Sequence, residues 1–86
     1  MNVIEKRLIE LKVDLTDRLR LVKSYADLTE QEKIPFRVSQ AEFLAMEDYK
    51  KGENLETHLE ISIRYEYYCS AAGIKKAIEF INLNKK

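Results

Sequence analysis

The chain has no tryptophan, one proline, one cysteine, one histidine and two glycines among its 86 residues. Each scarcity removes a class of protein. A single cysteine cannot build an internal disulfide framework, and such sparing use fits a reducing compartment. One cysteine with one histidine cannot furnish a His/Cys zinc site within one chain. Two glycines are too few for the glycine-rich loops that cradle nucleotide phosphates. Net charge is missing too, because fifteen Lys and Arg balance fifteen Asp and Glu. A neutral chain makes a poor non-specific nucleic-acid binder.

Long apolar runs are also absent. The first fifteen residues, MNVIEKRLIELKVDL, carry Glu5, Lys6, Arg7, Glu10, Lys12 and Asp14, too many charges for the apolar core of a signal peptide. Nothing approaches the roughly 20 apolar residues that a membrane helix needs. A soluble cytoplasmic protein without membrane contact is expected. At 45% hydrophobic with eight aromatics, the chain is nonetheless too apolar to be disordered. Its charge is unevenly spread: residues 1–33 balance, 34–71 are acidic, and 72–86 are basic. The Lys85–Lys86 tail is expected to be frayed and solvated.

The apolar residues present are periodic. Ile4, Leu8, Leu11, Leu15, Leu19, Val22 and Ala26 step by three and four, which predicts a long amphipathic helix over about 3–30 with Asn2 as its N-cap. Ile9, Val13 and Leu21 stand off that stripe. Pro35 is expected to exclude helix from the segment around it. Ser39 and Glu42 fit a capping box, opening a short middle helix over about 40–51. Gly52 then suits its left-handed C-terminal position.

From Leu59 to Cys69 apolar and polar residues alternate strictly, as in a strand. Over a longer span Leu55, Leu59, Ile63, Tyr67, Ser70, Ile74, Ile78 and Ile81 keep helical phase. A strand of that length would need partners, which the chain does not offer. The expected architecture is therefore all-α. A long antiparallel hairpin of helices 3–30 and 54–83, with the short middle helix, forms a single domain over 1–86. The alternative is α+β, with 59–69 as a strand.

The last helix would carry a second apolar stripe, Ile61, Tyr65, Tyr68 and Ala72, opposite the first. A hairpin buries one face of each helix, so this stripe needs a cover. A second copy of the chain supplies it most simply, since small domains are marginal alone and two-fold dimers are the commonest oligomers. These four residues are the expected interface, within a homodimer or with an obligate protein partner.

Catalytic chemistry finds little support. As a helix residue, His58 has Asn54, Leu55, Ile61 and Ser62 on its face, with no carboxylate to orient it as a base. Cys69 lies about three turns away and reads as inert packing. The stretch EDYKKGEN offers Gly52 to a calcium loop, yet Tyr49 and Lys51 fall at its ligand positions. Its acids read as a solvated face. No metal, cofactor or small-molecule substrate is expected.

One segment, SAAGIKKAIEFI, resembles the turn and second helix of a helix-turn-helix motif, with Gly73 at the corner. The resemblance implies DNA contacts from Lys75, Lys76 and Asn82. It departs from the motif where two buried positions fall on Glu79 and Asn82, one residue past Ile78 and Ile81. The expected function is a small non-enzymatic interaction module, of adaptor, inhibitor, immunity or antitoxin type, from bacteria or phage. A DNA-binding regulator is the alternative.

Overall fold

A computed structural model describes residues 2–20 and 24–84. These residues form four α-helices in order: α1 (Val3–Leu19), α2 (Glu30–Lys50), α3 (Leu55–Arg64) and α4 (Tyr68–Leu83), with a 3₁₀ turn at Tyr25–Asp27 between α1 and α2. The all-α expectation holds, and no strand forms among the described residues, so 59–69 is not a strand. Among the described residues, no helix is long and apolar enough to cross a membrane.

The helix boundaries differ from those expected. The first helix stops at Leu19, and the expected stripe residue Val22, with Leu21, lies outside the described residues. The expected tail Lys85–Lys86 lies outside them too. Downstream, the Asp27 side chain accepts a hydrogen bond from the Ser24 amide at 3.1 Å. That S-x-x-D pattern starts the 3₁₀ turn where the long-helix reading had run on.

The middle helix is the longest, at 21 residues, and Pro35 lies inside it. Thr29 and Glu32 form its capping box: the Glu32 amide donates to Thr29 Oγ1 at 3.2 Å and the Thr29 amide to Glu32 Oε1 at 2.9 Å. The box at Ser39 and Glu42 does not form. Ser39 sits within α2 and donates to Asp14 Oδ2 on α1 at 3.1 Å. A proline inside a helix forfeits one backbone hydrogen bond and costs about 3 kcal/mol. Burial of Phe36, the next residue, with the Tyr25 ring 5.3 Å from it, opposes that cost.

The expected last helix is broken in two. Tyr65 ends α3, Glu66 takes a left-handed φ of 60°, and α4 restarts at Tyr68. The Tyr67 amide donates to the Ser62 carbonyl at 2.8 Å and the Glu66 amide to the Ile63 carbonyl at 3.1 Å. This is the paired-bond helix stop that usually carries glycine at its left-handed residue. The same stop closes α2, where Gly52 has φ 87° and the Glu53 amide reaches the Asp48 carbonyl at 3.0 Å. Asn54 caps α3, and its side chain accepts from the Glu56 and Thr57 amides.

Folding back at 65–67 lets α3 and α4 pack on each other while α2 lies across α4. The most extensive packing is thus between α2 and α4, not between the first and last helices. Gly73 sits at the crossing, where a Cβ would come within 3.0 Å of the Ala41 Cβ, the Val38 carbonyl and the Glu42 amide. Around it Leu11, Ala45, Met46, Leu55, Ile74, Ala77 and Ile81 form the core.

Glu42 is the buried charge of that core, only 2% exposed. Arg7 on α1 holds it with two bonds, Nε to Oε2 at 2.8 Å and Nη2 to Oε1 at 3.1 Å. Those hydrogen bonds to Glu42 raise the Arg7 pKa above its ordinary value. The guanidinium also lies 5.6 Å from the Phe80 ring centroid, tying α1 to α2 and α4 together.

Candidate functional site

Two adjoining cavities run along α2 toward the α3–α4 corner. One, of about 230 Å³, is lined by Leu44, Asp48, Leu55, His58, Ile61 and Ile74 among others. The other, of about 540 Å³, has Arg37, Glu66, Tyr67, Tyr68 and Cys69 on its walls. Ala41, Leu44 and Ser70 line both, so the two open side by side.

The broken helix changes how the expected interface residues relate. Ile61 is on α3, Tyr65 is in the turn, and Tyr68 and Ala72 are on α4, so they are not one stripe of one helix. Ile61 lines the smaller cavity and Tyr68 the larger. Tyr65 stacks on Tyr67 with ring centroids 6.1 Å apart. Ala72, one turn beyond Tyr68, is exposed and lines neither cavity. Leu44 joins the face from α2, within the span expected as the middle helix. Leu44, Ile61, Tyr65, Tyr67 and Tyr68 are each between 47% and 73% exposed.

The helix-turn-helix corner is not where the resemblance put it. SAAGIKKAIEFI is uninterrupted α4, with Gly73 against α2. Lys75 and Lys76 are exposed on that helix. Asn82 lines a separate cavity with Tyr49, Glu53 and Leu55.

His58, expected to lack a carboxylate neighbour, has two. Its Nε2 lies 3.8 Å from Glu53 Oε1, and one ligand atom each from Asp48, Glu53 and His58 fall within 4.8 Å of one another. Asp48 comes from the end of α2 and Glu53 from the α2–α3 turn, outside any projection of α3 alone. Cys69 is partly buried and unpaired with any other cysteine.

No protein-family model, curated protein or solved structure matches the chain.

Proposed function

We propose that the chain is a non-enzymatic interaction module that works as a homodimer, joined through the face formed by Leu44, Ile61, Tyr65, Tyr67 and Tyr68. The observation that carries this reading is the contiguity of that face with the two cavities. It offers protruding rings beside hollows of its own, as a two-fold contact between identical surfaces requires. Tyrosines suit such contacts because each pairs an apolar body with a polar tip.

Surface area supports a second copy as the occupant. A folded monomer of 10.2 kDa is expected to expose about 5,300 Å². This chain exposes 6410 Å², an excess comparable to the ~800 Å² that each partner buries in a standard interface. Charge supports it as well. Arg37 and Glu66 line the same cavity, so a like surface presents each with its opposite.

Sedimentation equilibrium over a hundredfold concentration range tests the proposal. The expected species has a mass of about 20 kDa, twice the 10.2 kDa chain. Tyr68→Glu and Leu44→Glu are each expected to weaken it about tenfold or more, with helicity retained by circular dichroism. A monomer throughout the range would overturn the reading. So would a dimer that neither substitution weakens.

A further inference from the structure

Asp48, Glu53 and His58 follow one another at intervals of five residues, and the turn between α2 and α3 folds that spacing into a cluster. The helix stop at Gly52 does the folding. Its backbone bond from the Glu53 amide to the Asp48 carbonyl, 3.0 Å long, fixes those two residues beside each other. In this stop the equivalent pair is commonly apolar, and the contact between its side chains helps hold the turn. Here both are carboxylates. Among the described residues, neither forms an ion pair with a lysine or arginine; the one partner is His58, 3.8 Å from Glu53. Backbone geometry has thus brought two like charges together without a cation to neutralise them.

We propose that Asp48, Glu53 and His58 bind a divalent transition-metal ion of the zinc class. Three donor atoms within 4.8 Å of one another need only a small side-chain closure, since bonds of about 2.1 Å place neighbouring ligands roughly 3–4 Å apart. The imidazole decides the class. Magnesium and calcium favour all-oxygen shells, whereas one nitrogen with two carboxylates suits zinc and its neighbours. Three protein ligands leave a coordination position for water. Asp48 and His58 also line the smaller cavity, so the ion would sit at its polar end. The site bridges the end of α2 and the start of α3, so a bound ion would brace that turn. It stands independently of the dimer.

Isothermal titration of the full chain with zinc chloride, under reducing conditions, provides the test. One ion per chain is expected. His58→Gln and Asp48→Asn should each weaken binding about tenfold or more, and Cys69→Ser should leave it unchanged. A large excess of magnesium should not compete. The His58 ring signals in the nuclear magnetic resonance spectrum should shift on addition of zinc. The proposal fails if no saturable binding appears, if both His58→Gln and Asp48→Asn bind as the parent does, or if magnesium displaces zinc readily. Circular dichroism of each variant separates lost ligation from lost fold.

Discussion

Glu42 and Gly73 meet at one point of the α2–α4 crossing, and neither can be exchanged for an ordinary helix residue. Glu42 is charged and 2% exposed, which is tolerable only because Arg7 takes both of its oxygens. An unpaired buried carboxylate would cost several kcal/mol. Gly73 sets how closely the helices approach, and its missing Cβ leaves room for backbone atoms of Val38 and Glu42. In an open helix Gly→Ala stabilises by about 1 kcal/mol. Here the added carbon meets α2 backbone, so Gly73→Ala is expected to destabilise by about 1–3 kcal/mol, the usual cost of overpacking. Chemical denaturation measures it, and a stabilised variant would show that the crossing is looser than described. Sequence composition sets Gly73 in a run of small residues with Ser70, Ala71 and Ala72, where a neighbouring helix can approach closely. It did not mark Glu42 as buried, since a glutamate after a serine reads more simply as a cap.

The four helices begin and end by a few repeated devices, and these decide which boundaries could be read beforehand. Asn2 and Gly52 occupy the positions that their chemistry favours, and each was legible. The stop at 65–67 was not, because Glu66 holds the left-handed residue with φ 60° where glycine is usual. Left-handed backbone costs a non-glycine residue about 1–2 kcal/mol, partly offset by the entropy glycine would lose. Glu66→Gly is therefore expected to stabilise the fold by about 0.5–1 kcal/mol with the denaturant slope unchanged, measured by urea unfolding of dilute samples. The start of α2 was hidden differently, since Pro35 argued for a break and drew attention from Thr29 and Glu32. Hydrogen bonds from the Thr29 backbone first, and from its side chain, lower the Glu32 pKa below its ordinary 4.5. Its contribution to stability is thus present above that value and lost as pH falls through the lowered folded value. Glu32→Gln should melt earlier than the parent at neutral pH, and the difference should close in acid. A pH-independent difference would argue against the cap.

At the scale of the whole molecule, principal extents of 39 × 35 × 19 Å describe a slab. Its thin dimension matches roughly two helix diameters. Helices in two layers each keep an outer side, and only Met46 and Ala77 among the core residues are 0% exposed. The slab therefore leaves apolar side chains uncovered on those outer sides, Leu44, Ile61 and Tyr68 among them. Periodicity alone could not reveal which residues gather into a site. The tyrosine face is assembled across a helix break, and the Asp48–Glu53–His58 cluster across a turn, both through backbone geometry that no single-helix projection contains.

The tyrosine corner also has a spectroscopic consequence. Without tryptophan, the near-ultraviolet absorbance and emission of the chain come chiefly from five tyrosines. Tyr25 lies against Phe36, whereas Tyr65, Tyr67 and Tyr68 stand at the corner with at least 60% of their surface exposed. Three of five chromophores thus report on one face, so anything that covers it changes the protein's own ultraviolet signal without a label.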